Sequence, residues 1–289
     1  MSAAEGVSSG KGHHDENFPV ASWLIAARHR PAILAFYRFV RAADDVADHA
    51  SLASEQKLAL IDGLERSLLG RDNGEPAGVA LRAALAERRL PPRHALDLLT
   101  AFRLDVTKGR YADWNDLMDY CAFSAMPVGR FVLDVHGEPR SIWPANDALC
   151  AALQVINHLQ DCAKDYRDLD RVYIPRDAFA AAGTGPEALA EPRASPALLA
   201  CIRGLAERTG GLLGEAAPLV RQVEDTRLAL EISIIHRLAV KLAARLQQRD
   251  PLSERVHLSG AESARLALAA MGQAILGRLF RRPALERVS

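Results

Sequence analysis

The sequence lacks the features that mark several protein classes. Its four cysteines form no C-x-x-C pair and have no spacing suited to a zinc site or a disulfide framework, which fits a reducing compartment. Apolar runs are too short to span a membrane, and residues 1–16 lack the apolar segment of a signal peptide. Aromatic residues make up 6% of the chain and no long basic run occurs, so nothing indicates nucleic-acid binding. We therefore expect a cytoplasmic protein.

The remaining composition is that of a globular helical protein. Lys+Arg and Asp+Glu number 36 each, and 49% of the residues are hydrophobic. Residues 1–16 are rich in Gly, Ser and Ala and predict a mobile arm, whereas helical periodicity from Asn17 to about residue 282 predicts one all-α domain. Helices are expected at about 54–69, 77–89, 92–108, 114–136, 145–167, 197–221, 224–248 and 259–280. Pro31 suits the first turn of an earlier helix, and residues 180–196 predict a surface excursion.

The last predicted helix allows two interpretations. Ser259 and Glu262 form a capping box at its start. Its apolar face is expected to pack on the bundle through Leu266, Leu268, Met271, Ile275 and Leu279. The alternative is a membrane-surface helix, because arginines gather at its end, namely Arg278, Arg281 and Arg282.

Two predicted helices each carry acidic residues four positions apart. On an α-helix such residues share one face, so Asp44 and Asp48 point together, as do Asn157, Asp161 and Asp165. Like charges at this spacing repel, which indicates that a cation lies between them when the protein works. Mg²⁺ prefers oxygen ligands and is commonly shared between carboxylates and phosphate oxygens. The pattern therefore predicts Mg²⁺ ions that hold a diphosphate in the core of the bundle.

Neighbouring residues extend both motifs. Asp45 is a further candidate ligand, and Gln154 lies on the same stripe as Asn157. Arg41 could bind a phosphate oxygen, since a guanidinium group matches that geometry. The alternative is that these are solvated charges, with Arg41 and Asp45 forming an ordinary helical ion pair.

The chain resembles the squalene/phytoene synthase family, the head-to-head prenyl transferases, over nearly all of residues 17–282. The matching segments, in order, are residues 16–22, Tyr37 to Asp48, Tyr120 with Cys121, Pro127 to Arg130, Gln154 to Asp165 and Arg171 to Pro175. The resemblance implies a single-domain isoprenoid synthase bundle with a central cavity and allylic diphosphate substrates. It also implies Mg²⁺ ligands at Asp44, Asp48, Asn157, Asp161 and Asp165. The implied substrate contacts are Ser22, Tyr37, Arg41, Tyr120, Gln154, Arg171 and Arg255.

One departure from the family pattern bears on the reaction. Members that condense two substrates usually carry Arg before the second aspartate motif, where this chain has Gln160, itself a candidate substrate contact. Replacing a guanidinium by an amide removes a strong diphosphate contact, which argues against condensation. Gln160 and the segment Asn17 to Ser22 resemble the bacterial members that make hydroxysqualene for hopanoids. The resemblance then implies presqualene diphosphate as substrate, with water capturing the carbocation.

Other readings stay open. A synthase could instead condense two allylic diphosphates to presqualene diphosphate, squalene or phytoene, and a relative without activity could serve as a scaffold or assembly factor. The candidates for positioning water are Tyr37, Tyr120, His158 and His236, and Tyr120 and Tyr173 could equally be core residues with satisfied hydroxyls. An apolar substrate makes transient membrane contact and hand-off between pathway enzymes plausible.

Overall fold

A computed structural model describes residues 24–279, and α-helices account for most of them. The helices are α1 Arg30–Ala47, α2 Ser54–Leu68, α3 Pro76–Arg88, α4 Arg93–Thr107, α5 Trp114–Ser124, α6 Met126–His136, α7 Trp143–Leu169, α8 Arg176–Ala182, α9 Pro196–Ala216, α10 Leu219–Gln222, α11 Thr226–Leu246 and α12 Gly260–Leu279. Short 3₁₀ segments cover Arg140–Ile142 and Pro186–Ala190. The all-α prediction is confirmed. The predicted arm at residues 1–16 lies outside the described residues, and the domain boundaries 17–282 stay a prediction.

Helix α7 forms the centre of the bundle. It is 27 residues long and contacts α6, α9 and α11, while α1 packs on α2, α3 and α4. The prediction of one long helix at 145–167 is confirmed. Fully buried side chains such as Phe39 on α1 and Ile156 on α7 form the core between these layers. Burial of one such side chain contributes about 1.5–3 kcal/mol.

The prediction of a single helix at 114–136 is wrong. The chain forms α5 and α6 instead, separated at Ala125, whose backbone leaves the helical region with φ −126° and ψ −48°. Pro127 is the cause, because it lacks the N–H that would bond to the preceding turn and its ring disfavours helical geometry in the residues before it. The break turns α6 toward α7. There a Cβ on Gly129 would lie 2.3 Å from Oδ1 of Asn146, so glycine permits the close approach of the two helices.

Two segments differ from their predicted packing. The excursion at 180–196 is anchored by Leu189, which is fully buried. On α12, the small residues Ala270 and Ala274 are buried, whereas Leu268 and Ile275, predicted to pack on the bundle, are 67% and 47% exposed. Because alanine side chains are small, α12 can lie close to α11 on this face, and the larger Leu268 and Ile275 lie on the exposed face.

The start of α12 also departs from the predicted capping box. The Ser259 hydroxyl accepts from the Glu262 N–H at 3.3 Å, but the Glu262 carboxylate pairs with Arg245 of α11. Arg278 donates to the Val223 and Glu224 carbonyls. Leu279 (side chain), Arg281 and Arg282 lie outside the described residues. Between residues 24 and 279, no helix is both long and apolar enough to cross a bilayer, and contact of α12 with a membrane surface stays a prediction.

Candidate active site

The first acidic motif occupies the C-terminal end of α1. Asp48 is the capping residue, and its N–H donates to the Asp44 carbonyl at 2.9 Å. Arg41 binds Asp45 with Nε at 3.1 Å and Nη2 at 2.8 Å, while its Nη1 lies 3.2 Å from Asp44. Asp45 is 8% exposed, whereas Asp44 and Asp48 are 36% and 40% exposed. Arg41 thus holds Asp45 inside the protein, and Asp44 and Asp48 keep access to solvent.

The second motif lies along one face of α7. Asn157, Asp161 and Asp165 follow at four-residue intervals, with Asn157 in the wall of a cavity and Asp161 exposed. Gln154 continues the same stripe, and its amide nitrogen lies 3.1 Å from Nε2 of His158. Amide and carboxylate oxygens therefore follow one another along this face of α7, from Asn157 in the cavity wall to Asp161 at the surface.

Arg171 joins the two motifs. Its backbone N–H donates to the Asp165 carbonyl at 3.1 Å, and its Nη1 donates to Asp48 Oδ1 at 2.6 Å. Its other nitrogens donate to the carbonyls of Ala47 at 2.9 Å and Asp105 at 3.0 Å. The side chain is 8% exposed. Arg171 thus links the two acidic motifs, through its side chain to Asp48 and through its backbone to Asp165.

Burial and charge repulsion both disfavour ionisation of these carboxylates. Burial and neighbouring Asp48 raise the pKa of Asp44 to about 7, although its partial exposure lets water screen some of this repulsion. Burial and Asp161 raise the pKa of Asp165 to about 7, and Asp48 of the opposite motif adds to the shift. The negative charge of Asp48, at the end of α1, therefore affects the ionisation of Asp165 on α7. Such a site disfavours full ionisation unless a cation enters it.

The donor atoms fit Mg²⁺. Asp44, Asp48, Asp161 and Asp165 supply carboxylate oxygens, and Asn157 supplies a neutral amide oxygen. Mg²⁺ prefers such oxygen ligands and keeps waters that phosphate oxygens can replace. The raised pKa values of Asp44 and Asp165 fit the same conclusion, because a divalent cation would offset both the burial of these carboxylates and the repulsion from Asp48 and Asp161 that cause the shifts.

Asp105 of α4 is a site residue that the sequence interpretation missed. Tyr120 donates to its two carboxylate oxygens at 2.9 and 3.0 Å, and Tyr173 donates to Oδ1 at 2.9 Å. Burial raises the pKa of Asp105 to about 6, although Arg171 and both hydroxyls favour the ionised form. The hydroxyls of Tyr120 and Tyr173 are therefore satisfied inside the protein. Asp105 stands alone in its own segment of sequence, so only its partners in the folded chain reveal it.

His158 completes this buried cluster. Its ring stacks on Tyr173 with centroids 3.5 Å apart, and burial together with Arg171 lowers its pKa to about 3. The side chain is 8% exposed, which agrees with a packing role for this histidine.

An apolar cavity of about 310 Å³ lies between α1, α6, α7 and α11. Phe36 and Val40 of α1, Phe131 and Val132 of α6 and Leu153 of α7 contribute to its wall. Asn157 and Tyr37 also line it, so the cavity reaches the second acidic motif. A volume of this order is typical of sites for small molecules.

Two predicted substrate contacts, Gln160 and Arg255, lie on or near the segment that follows α11. Gln160 is 8% exposed, and its amide nitrogen donates to the Val256 carbonyl. Arg255 is exposed on the same segment, which lies near Asp161, since both Arg255 and Asp161 influence the pKa of His257. Ser22 lies outside the described residues.

Comparisons with known proteins identify the family of this chain. A family model described as squalene/phytoene synthase matches residues 11–262. The chain belongs to the squalene/phytoene synthase family. A hydroxysqualene synthase of Rhodopseudomonas palustris is 58% identical over 97% of this chain and 96% of the relative. Another, from Sinorhizobium fredii, is 54% identical over 98% of this chain and 97% of the relative.

A solved family structure shares the same helical bundle. A squalene synthase from Alicyclobacillus acidocaldarius superposes with a TM-score of 0.72 at 32% sequence identity, covering 85% of this chain and 92% of that one. The predicted isoprenoid synthase fold is confirmed.

The raised carboxylate pKa values predict a pH effect on stability. The folded metal-free protein binds more protons at Asp44 and Asp165 than the unfolded chain does near pH 7. Its free energy of unfolding should therefore rise as the pH is lowered from about 8 to about 6.5. Below this window, the lowered pKa values of His29 and His158 oppose the effect, because the unfolded chain then binds protons that these buried rings do not. Denaturant titration in the presence of a chelator measures the trend.

In the matched control Asp165→Asn, the free energy of unfolding should depend less steeply on pH. Mg²⁺ added to the unsubstituted protein should have the same effect. An equally steep slope in Asp165→Asn would show that other groups cause the dependence.

Proposed function

We propose that this protein converts presqualene diphosphate to hydroxysqualene in a Mg²⁺-dependent reaction. The principal support is that Arg171 links the acidic motifs of α1 and α7 next to an apolar cavity whose wall includes Asn157 and Tyr37. The relatives named hydroxysqualene synthase, at 58% and 54% identity over nearly the whole chain, favour this reaction over the others of the family. An inactive scaffold is disfavoured because all five expected ligands are present.

The diphosphate would be held at the acidic end of the cavity. Asp44, Asp48, Asn157, Asp161 and Asp165 would bind Mg²⁺, which when bound supplies the positive charge that stabilises the leaving diphosphate. Arg41, placed by Asp45, adds a guanidinium group at the same end. We assign Asp45 to holding Arg41, since its carboxylate is buried against that side chain.

Arg171 would position the ligands. Its bonds to Asp48 and to the Asp165 backbone fix the distance between α1 and α7. The Asp105 cluster in turn fixes Arg171 through the Asp105 carbonyl. Pre-organisation of this kind lowers the reorganisation needed as charge develops in the transition state.

The apolar wall would shield the carbocation. Side chains such as Phe36, Leu153 and Ile232 exclude bulk water from the cavity and shape the hydrocarbon for rearrangement. We further propose that Gln160 serves here as an anchor for residues 250–259, because its amide holds the Val256 carbonyl beside Asp161. Because Gln160 is neutral, the site has one positively charged side chain fewer for a second diphosphate than a family member with arginine at this position.

Substrate choice tests the proposal. Purified protein with Mg²⁺ should yield a hydroxylated C30 product from presqualene diphosphate and no C30 diphosphate from farnesyl diphosphate alone. Product analysis by mass spectrometry distinguishes the reactions. Consumption of farnesyl diphosphate to a C30 diphosphate would instead identify a condensing synthase.

A further inference from the structure

Two histidines and an aspartate from distant parts of the chain lie together, away from the acidic motifs. His29 immediately precedes α1, His136 is the last residue of α6, and Asp225 is the N-cap of α11. A nitrogen or oxygen atom of each lies within 4.8 Å of those of the other two, and the two imidazole rings have centroids 4.2 Å apart. His29 and Asp48 cap opposite ends of α1, about 28 Å apart along its axis. The cluster is therefore separate from the proposed Mg²⁺ site.

His136 and Asp225 are each held in place by one atom and present another. The His136 Nδ1 lies 2.8 Å from the Val132 carbonyl, so Nδ1 carries the proton and Nε2 is the unprotonated nitrogen. Histidines that bind metals are usually oriented by such a bond from the other ring nitrogen. The Asp225 Oδ1 accepts from the Arg227 and Leu228 N–H groups at 2.8 and 2.9 Å, so Oδ2 is the oxygen that remains for a ligand.

Two arginines also contact the cluster. The Arg28 Nε donates to the His29 Nε2 at 3.0 Å, and the Arg28 Nη2 lies 3.8 Å from the Asp225 Oδ2. The Arg88 Nη2 lies 3.3 Å from the His29 Nδ1 and also donates to the Arg28 carbonyl. A neutral imidazole has one acceptor nitrogen, so both arginines cannot donate to His29. The Arg28 side chain is 70% exposed and can turn into solvent at little cost, which leaves the His29 Nε2 for a metal.

The ligand types favour a transition metal over Mg²⁺. Imidazole nitrogen suits zinc and similar ions, whereas Mg²⁺ prefers oxygen ligands. Burial and the neighbouring His136 and arginines lower the pKa of His29 to about 4, and burial lowers the pKa of His136. Both rings are therefore neutral near pH 7, which is the form that binds a metal. Glu138, which also influences His136, adds negative charge nearby.

We propose that His29, His136 and Asp225 bind one zinc ion, with water as the fourth ligand, and that this ion joins α1, α6 and α11. Zinc lies about 2.0–2.1 Å from its nitrogen ligands, which places tetrahedral ligand atoms about 3.4 Å apart. The side chains must therefore close by about 1.4 Å or less, which side-chain rotation allows. The same three helices line the apolar cavity, so the ion stabilises the cavity wall. This role does not depend on which reaction the chain catalyses.

Zinc titration of the full chain tests the inference. The protein is first stripped with a chelator, and excess Mg²⁺ is then added to occupy the acidic motifs. Calorimetry should find one zinc ion per chain. His136→Gln and Asp225→Asn should each lower the zinc affinity by about 100-fold or more, because loss of a group that only orients a ligand already costs about 10–100-fold. Zinc at about 100 times its Kd should raise the Tm of the unsubstituted protein by about 5 °C and leave that of either variant unchanged.

Controls separate this site from other places where zinc could bind. His13 and His14 are adjacent in the sequence, so the double variant His13→Ala/His14→Ala tests that pair and should keep the original affinity. Asp225→Asn retains a side-chain oxygen that can cap α11, so it decides the question if His136→Gln fails to fold. Cobalt(II) at this site should show the visible absorption of a tetrahedral ion without the near-ultraviolet band of a thiolate ligand.

Three results would overturn the inference. One is a zinc affinity that is the same in the unsubstituted protein and in folded Asp225→Asn, or the absence of zinc binding from both. Another is loss of the site in the His13→Ala/His14→Ala variant, which would assign it to residues 13 and 14. The third is a thiolate band in the cobalt spectrum, which would assign the metal to a cysteine. Turnover of presqualene diphosphate is measured separately, so none of these results bears on the proposed function.

Discussion

Asp44→Asn and Asp161→Asn are each expected to lower the turnover of presqualene diphosphate by about 100-fold or more, since loss of one metal ligand weakens the neutralisation of the leaving group. Both side chains are solvent-accessible, so neither change should disturb the core. Asp44→Asn also removes a charge that Asp48 repels, which favours the folded state. Steady-state kinetics over a range of Mg²⁺ concentrations measure the effect, with far-UV circular dichroism as the check on folding.

Asp168→Asn is the matched control for these variants. Asp168 lies on α7 beyond Asp165 and pairs loosely with Lys164, with 3.9 Å between the charged atoms. Removal of this exposed charge should leave turnover within about twofold, because surface ion pairs contribute little. Full activity in both Asp44→Asn and Asp161→Asn would favour the scaffold interpretation.

Arg171→Ala is expected to lower the free energy of unfolding by about 2–4 kcal/mol, because a buried acceptor left without its donor costs about 1–3 kcal/mol, whereas Asp48, which is 40% exposed, stays partly screened by water. The change leaves Asp48 and the carbonyls of Ala47 and Asp105 without their shared donor. It also removes the contacts that join the end of α1 to the segment that follows α7, so we expect activity to fall. Urea denaturation in the presence of a chelator gives the stability, and turnover is measured at saturating Mg²⁺.

Arg249→Ala provides the comparison on the surface. Arg249 and Glu254 lie 3.3 Å apart and are each 45% exposed. Their separation should cost less than about 1 kcal/mol. Equal losses in Arg171→Ala and Arg249→Ala would contradict the view that Arg171 joins the two acidic motifs.

The sequence predicts the parts of this site that depend on local periodicity. Asp44, Asp48, Asn157, Asp161 and Asp165 repeat at helical spacing, and an α-helix aligns such residues whatever surrounds it. Their meeting in space was an inference from charge, since repelling carboxylates require a cation. In the folded chain Arg171 links Asp48 to the Asp165 backbone, and the sharing of metal ions by the two motifs stays a prediction.

Residues that act through distant partners could not be predicted in this way. Asp105 accepts from Tyr120, 15 residues away, and from Tyr173, 68 residues away, and only the fold brings these three side chains together. Gln160 was interpreted by comparison with an arginine, but its amide holds a backbone carbonyl of a distant segment. The break at Ala125 was visible in Pro127, yet the apolar periodicity continues through it and predicts an unbroken helix.

The helices that line the cavity differ in whether they also hold proposed metal ligands. Helix α7 carries the proposed metal ligands Asn157, Asp161 and Asp165 as well as apolar wall residues, whereas α6 contributes Val128, Val132 and Leu133 without any of the proposed Mg²⁺ ligands. Protein engineers who wish to admit shorter or longer prenyl chains could therefore vary α6 while the ionising groups stay intact. Gly129 sets the limit of such redesign, because any larger residue there would collide with Asn146 and force α6 away from α7.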